Sequence, residues 1–207
     1  MNYNEDTGLY SGAPMLSTAN TMNWKYGYVE MRAKMPFCGK GEWPAFWMLA
    51  SSANISKDII DAAVCDYNAE IDIFENMSNV NKFQSQLHLW GKDGSVESIT
   101  NVITQDGRQF YTFKNSQTAN DWHIYGLKWT ENRLVFYVDR VAFLSYYIPR
   151  SYRDACSQYM NLIISLNSYT VNSNEATLST GNQDVPKMYV DYVRLYQNPN
   201  NNKILTK

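Results

Sequence analysis

The chain has 207 residues, with 18 Lys and Arg against 20 Asp and Glu for a formal charge of -2; that length suits one domain, and that charge supplies no basic field of the kind that holds phosphate backbones. Its 44% apolar and 18% charged residues place it with ordinary globular domains, not disordered tails or disulfide scaffolds. No apolar run approaches the roughly 18 residues that cross a bilayer, the longest, 141–148 and 162–166, being strand-sized; neither nucleic acid nor a membrane span is expected.

The opening Asn2, Tyr3, Asn4, Glu5 and Asp6 have neither the basic nor the apolar region of a secretory signal. Residues 28–35 then alternate strictly. Tyr28, Glu30, Arg32 and Lys34 fall on one side, Val29, Met31, Ala33 and Met35 on the other, which predicts a half-buried strand. Gly39-Lys40-Gly41 lacks the third glycine and the strand-to-helix setting of a dinucleotide loop. Residues 51–67 read as a loop with at most two helical turns around Ile59 to Val64.

Further β-rich runs are predicted at 69–74, 83–90, 122–129, 134–138, 160–166 and 188–196. Asn132 lies in the short link between Trp129 and Leu134, the pattern of a hairpin. Arg140 follows Asp139 where glycine is common, and a positive φ there costs on the order of 1 kcal/mol. Residues 198–207, rich in Asn and holding Pro199, read as a frayed end or linker, leaving 1–197 as a single domain. Many short strands without alternating helices predict an all-β antiparallel sandwich. Cys38, Cys65 and Cys156 match no zinc spacing and allow one bridge at most.

The chemistry concentrates in Glu70-Ile71-Asp72-Ile73-Phe74-Glu75. On a regular strand Glu70 and Asp72 share a face and Glu75 points the other way. A bulge adding one residue between Asp72 and Glu75 would bring all three together. Glu70 and Glu75 would then stand roughly 13 Å apart at their α-carbons, within reach, through long side chains on a bent strand, of the carboxyl separation of about 5–5.5 Å found in retaining glycosidases. Two other readings stand beside this one: acids that solvate one face of an edge strand, and a hard-cation site of oxygen ligands. There is no Gly-x-Ser-x-Gly elbow, and a cysteine nucleophile with His88 or His123 stays as a minor alternative, because any buried Cys and core His would look the same. Sixteen Tyr and six Trp suit either a β-rich core or a surface that stacks on sugars.

Five ordered blocks resemble family 16 glycoside hydrolases: Tyr26-Gly27-Tyr28-Val29-Glu30-Met31-Arg32-Ala33-Lys34, Gly41-Glu42-Trp43-Pro44-Ala45-Phe46-Trp47-Met48-Leu49, the acid segment, Asp121-Trp122-His123-Ile124-Tyr125 with Lys128-Trp129-Thr130, and Tyr189-Val190-Asp191-Tyr192-Val193-Arg194-Leu195-Tyr196. The acid segment has the bulged, laminarinase and agarase form. The resemblance implies a β-jelly-roll of two curved antiparallel sheets with a concave groove for a polysaccharide. It makes Glu70 the nucleophile, Glu75 the acid and base, and Asp72 the residue that holds their geometry and biases protonation toward Glu75. Trp43 matches a tryptophan that stacks on sugar, with Trp47 further along its face. His88 matches a histidine that reaches the site, with Trp90 on its side. His123 reads as structural. Asp191 matches a position that in some members binds a structural calcium together with a carbonyl near Gly27.

The chain departs from that pattern in three places. One or two strands usual before Ser11 are short or absent. Cys65-Asp66-Tyr67-Asn68-Ala69 stands where laminarinases carry Trp-Pro and a glycine, and Asn167, Ser168 and Tyr169 replace a Gly-Gly pair. The expectation is a monomeric retaining endo-glycosidase on β-1,3- or mixed-linkage β-glucan, needing no cofactor for catalysis. Its place of action, from the substrate class, is extracellular or at the cell surface. The alternatives are a galactan hydrolase of the agarose, porphyran or carrageenan type, and a non-catalytic carbohydrate-binding sandwich.

Overall fold

A computed structural model of the chain describes residues 2–4, 9–11, 14–36, 42–50, 67–76, 79–91, 95–98, 110–168, 187–199 and 204–206. In chain order the strands are β1 (Asn2–Asn4), β2 (Leu9–Ser11), β3 (Met15–Ser17), β4 (Met22–Trp24), β5 (Gly27–Lys34), β6 (Glu42–Ala50), β7 (Tyr67–Glu75) and β8 (Lys82–Gly91). There follow β9 (Val96–Ser98), β10 (Phe110–Thr112), β11 (His123–Trp129), β12 (Arg133–Val138), β13 (Val141–Tyr147), β14 (Met160–Ser168), β15 (Tyr189–Tyr196) and β16 (Ile204–Thr206). Two single-turn 3-10 helices, Arg150–Tyr152 and Ala155–Ser157, interrupt them.

The strands form two main antiparallel sheets, the β-jelly-roll sandwich expected from the sequence. The larger runs β10-β8-β7-β6-β14-β4-β16, with β3 also on β14 and β9 on β8, and the smaller runs β13-β12-β11-β5-β15. Their inner faces meet in one core: Phe46, Met48, Ile71, Phe74, Phe83, Leu87 and Leu89 from the larger sheet, Val29, Met31, Tyr125, Leu127, Leu134 and Phe136 from the smaller. The alternation read in β5 is what builds this side, since Val29, Met31 and Ala33 are all buried. The hairpin across Asn132 forms as well, with Trp129 opposite Leu134.

The β12–β13 turn shows why an arginine occupies a glycine position. Val138 pairs with Val141, leaving a two-residue loop in which Asp139 has φ 50 and Arg140 φ 64, the left-handed pair that the twist of a tight hairpin demands. Each residue recovers its strain through a side chain. Asp139 accepts from the backbone N–H of Ile124 at 2.9 Å and contacts His123 Nδ1 at 2.8 Å. Arg140 donates twice to Glu30, at 3.1 and 2.9 Å. Glu30 sits on the outer face of β5 yet is only 1% exposed, and Tyr28 and Tyr192 also donate to it. A buried carboxylate that loses its cation is strongly destabilising. Arg140→Gly is therefore expected to melt below the wild type even though glycine suits the turn better; equal or higher melting temperature by calorimetry would show that turn strain outweighs the pairing.

One expectation needs correction. Residues 204–206, read as part of a frayed end, form β16, with Ile204 opposite Trp24 and Thr206 opposite Met22. Strand β4 meets β14 at a single pair, Met160 and Trp24, so it offers backbone donors and acceptors that another strand can take up. Of the loop read at 51–67, Tyr67 is the first residue of β7, while residues 51–66, Gly39-Lys40-Gly41, and Cys38 and Cys65 lie outside the described residues. Cys156 is buried, and its carbonyl accepts Trp129 Nε1 at 3.1 Å.

Candidate active site

Strand β7 lies between β6 and β8 in the middle of the larger sheet, so its acids do not decorate an edge. Its register breaks where the sequence requires. Against β8, Glu70 faces His88 and Asp72 faces Gln86, but Glu75 faces Gln84; Ile73 and Phe74 together oppose Ser85, which makes one extra residue. The same shift appears against β6, where Trp47 faces Asp72 and Ala45 faces Glu75. Opposed residues of an antiparallel pair point to one side of the sheet. Glu70, Asp72 and Glu75 therefore share the face turned away from the core, which they would not do on an unbroken strand.

The bulge is held from the core side. Ile73 and Phe74, consecutive residues, are both buried. Phe74 stacks on Phe83 with ring centres 4.5 Å apart and meets Tyr125 edge-on at 4.7 Å. The carbonyl of Ile73, displaced from the ladder, accepts the Ser85 hydroxyl at 2.6 Å. A backbone acceptor in a dry interior costs stability when unpaired, so Ser85 stabilises the irregular register.

On the site face each outer acid has its own donors. Trp43 Nε1 donates to Glu75 Oε1 at 3.0 Å, and Gln84 Nε2 to Glu75 Oε2 at 2.5 Å. Trp90 Nε1 donates to Glu70 Oε2 at 3.0 Å. Asp72, between them, is 4% exposed, and His88 Nε2 stands 3.2 Å from its Oδ2. Trp47 is half-buried on the same face and donates to Ser165 Oγ at 3.1 Å. Of the residues singled out from sequence, Glu70, Asp72, Glu75, Trp43, Trp47, His88 and Trp90 are thus gathered on one face. Trp90 touches an outer acid, Glu70. Gln84 and Ser85 were not singled out; the available signal was Gln84, Gln86, His88 and Trp90 recurring every second position beside apolar Phe83, Leu87 and Leu89.

Asp191 is elsewhere. It lies on β15 of the smaller sheet, at an irregularity between Val190 and Tyr192, and its Oδ2 accepts from Arg32 Nη1 at 2.7 Å. The expected partnership with a carbonyl near Gly27 fails on register, because β15 meets Gly27's end of β5 through Tyr196, not Asp191. A carboxylate already paired with a guanidinium and 49% exposed does not fit a calcium site, and among the described residues it joins no group of three acidic, His or Cys ligands. His123 is buried as a structural residue, its ring nitrogens meeting Asp139 and the Thr118 carbonyl. A cavity of about 530 Å³ beside Tyr26, Trp129 and Tyr196 has Glu131 as its one acid and so lacks paired carboxylates.

The electrostatics of the cluster follow from crowding acids in a poorly hydrated place. Burial, then the charge of Asp72, pushes Glu70 up to about 7, while His88 and the Trp90 N–H oppose the rise. Burial and Asp72 also raise Glu75, against the pull of its two donors, Gln84 and Trp43. Burial raises Asp72 as well, and the contact with Asp72 raises His88. A carboxylate whose folded value lies above its unfolded one holds protons that the unfolded chain releases, so its contribution is complete at low pH and is lost as pH rises. The window for Glu70 runs from about 4.5 to about 7. Glu70→Gln is expected to match the wild type near pH 4 and to exceed it at pH 8 by on the order of 1–2 kcal/mol, discounted for solvent screening at a half-buried site. Urea melts at the two pH values measure this; a variant less stable at pH 8 would contradict it.

Comparison with known proteins gives consistent results. The family model described as Glycosyl hydrolases family 16 matches residues 4–194. Glucan endo-1,3-beta-glucosidase A1 of Niallia circulans is 31% identical over 194 residues, 88% of this chain and 26% of that protein. Endo-1,3-1,4-beta-glycanase ExsH of Rhizobium meliloti (strain 1021) is 28% identical over 183 residues, 88% of this chain and 32% of that protein. The chain therefore spans between a quarter and a third of the length of these curated relatives. The same fold occurs in a Bacteroides ovatus mixed-linkage glucan enzyme solved with a product, at TM-score 0.64 and 23% identity, covering 87% of this chain and 73% of that one.

Proposed function

Since the chain belongs to family 16 of the glycosyl hydrolases, we propose that it is a retaining endo-glycosidase that cleaves β-1,3- or mixed-linkage β-glucan within the chain. The observation that carries this is the bulge of β7, which sets Glu70, Asp72 and Glu75 on one face and gives each outer acid its own donors. In this reading Glu70 attacks the anomeric carbon and forms a glycosyl ester while Glu75 gives its proton to the departing oxygen; Glu75 then takes a proton from water, which releases the sugar with its original configuration.

The two acids need opposite protonation states from similar surroundings. Asp72 supports the proton on Glu75 because its charge disfavours a second ionised neighbour. His88, drawn toward its charged form by Asp72, helps ionise Glu70. Positive charge developing at the anomeric carbon favours ionised Glu70 further as the reaction proceeds. Trp43 and Trp90 present half-buried and exposed rings beside the acids, surfaces on which sugar rings stack.

The relatives named above act, by their names, on β-1,3 and β-1,3-1,4 linkages, which favours a glucan over an agarose-type galactan. Among the described residues no helix is long and apolar enough to cross a membrane. A polymer too large to enter a cell places the reaction outside it or at its surface. The test is release of reducing ends from laminarin, lichenan and agarose, with the anomer of the first product followed by NMR. Activity on the first two with retention is expected. Inversion, or a folded protein inactive on all three, overturns the reading.

A further inference from the structure

The cavity at the Gly27 end of the smaller sheet is separate from the acids. Its volume is about 530 Å³, inside the range of about 300–1,000 Å³ that small-molecule sites occupy, and among the described residues none from β6, β7 or β8 lines it. Register sets its floor. Lys128 faces Tyr28, and Tyr28 faces Tyr196, so one row of side chains crosses β11, β5 and β15 on the same side of the sheet. Tyr28 lies across Gly126, where a Cβ would stand 2.6 Å from the Tyr28 hydroxyl. Tyr196, 48% exposed, sits beside it with ring centres 5.9 Å apart and planes inclined by 39°. Two neighbouring rings make an apolar platform with polar edges, and Lys128, Glu131 and Asn198 bring donors and acceptors to it.

The walls are fixed at a backbone cost. Tyr26 has φ 60 and Gly27 φ 114, and a side-chain-bearing residue at positive φ persists only where its surroundings enforce it. Gln197 Nε2 donates to the carbonyls of Lys25 and Tyr26, at 2.9 and 3.0 Å, and Tyr26 meets Trp129 edge-on at 5.1 Å. These contacts tie the ends of β5, β11 and β15 together around the opening. Lys25 is turned over the Tyr159 ring, 4.6 Å from its centre, which leaves Lys128 and Glu131 as a balanced pair of charges among the lining residues.

We infer that this cavity binds an uncharged oligosaccharide and, resting on the glucan reading above, that it holds a second stretch of the polymer on which the acids work. A sugar ring offers a C–H face to an aromatic platform and hydroxyls that need donors and acceptors together. Phosphate or sulfate would meet the negative charge of Glu131. A strand from a second copy is disfavoured because β15, last in its sheet, is irregular between Val190 and Tyr192, and a bulge blunts pairing at an edge.

The test titrates the 15N-labelled Glu70→Gln chain, which does not consume its probe, with laminarihexaose and follows the amides by NMR. Saturable shifts at residues 128–131 and 196–198 are expected, with a dissociation constant below about 10 mM. Adding Tyr196→Ala weakens this binding at least about fivefold, and Glu131→Ala is the second variant. Shifts confined to β7 and β8 overturn the inference and leave the glycosidase reading standing. Shifts at the cavity in a chain that hydrolyses no glucan support the binding site and count against that reading alone. Equal affinity in all folded variants, binding of inorganic phosphate there in place of the hexaose, or shifts there that follow protein concentration without sugar also overturn the inference. In the chain with Glu70 intact, Tyr196→Ala is expected to keep kcat/KM on laminarihexaose within about twofold and to lower the rate on dilute insoluble β-1,3-glucan at least about threefold; unchanged rates on both overturn the polymer-holding part.

Discussion

Glu70→Gln is expected to lower turnover of laminarin by at least about 10⁴-fold, a barrier increase of about 5.5 kcal/mol. An amide can neither attack the anomeric carbon nor carry the ester that follows, and loss of a covalent nucleophile is among the largest effects a single substitution has on an enzyme. The amide nevertheless fills the same space, and its oxygen still accepts the Trp90 N–H that Glu70 receives at 3.0 Å, so the fold and the binding of an oligosaccharide are retained. A better leaving group on the substrate brings no recovery, because the missing step is the attack. Initial rates beside calorimetric affinity for the oligosaccharide make the measurement. A folded variant that keeps more than about one hundredth of wild-type turnover would remove Glu70 from the nucleophilic role, since general acid or base contributions alone are of that size.

Glu75→Gln is expected to have a smaller and more selective effect. On the polysaccharide, whose departing oxygen needs a proton, the loss is about 10²–10⁴-fold. On an aryl glycoside whose phenol leaves without one, formation of the glycosyl ester stays near the wild-type rate and its hydrolysis becomes slow, because no base remains to activate water. The expected trace is a burst of about one phenol per chain followed by slow release, with the added sugar visible on the intact protein by mass spectrometry. A small anionic nucleophile such as azide, which needs no deprotonation, speeds the slow phase. The new amide keeps an oxygen for the Trp43 N–H but turns its nitrogen toward Gln84, so the site is disturbed beyond the lost proton. An equal loss on both substrates, with no burst, would mean that Glu75 positions the site and does not transfer protons.

These two experiments separate residues that the sequence cannot rank. In Glu70-Ile71-Asp72-Ile73-Phe74-Glu75 the chain shows which acids are present and that two apolar residues stand side by side before the last. That doubled apolar step is the visible trace of the bulge, because a strand of period two has no use for it. It does not say whether the extra residue is accommodated or whether Glu75 is turned inward. The core settles the matter, with Phe74 packed against Phe83 and Tyr125 and the Ile73 carbonyl bound by Ser85. Asp191 shows the opposite outcome. An aspartate in a strand fits a cation site as well as an ion pair, and only the register of β15 on β5 brings Arg32 to it and carries it away from Gly27.

The sequence by itself determined the class of fold and which acids and aromatic residues are candidates for the site. Alternation in β5 and β8 fixes which side chains face the core, because side-chain direction along a strand has a period that composition can mark. It also shows three carboxylates gathered on one β-rich run, in a chain of 16 Tyr and six Trp. The tertiary structure decided which of those groups meet and which way their proton affinities move. Gln84 and Trp90 reach the acids from the next strand, Trp43 from the strand on the other side, and Ser165 reaches Trp47 from a strand 118 residues away. Desolvation and hydrogen bonding act over a few ångströms regardless of separation along the chain, so the elevated value of Glu70 and the contact of Asp72 with His88 exist only once β6, β7 and β8 lie side by side.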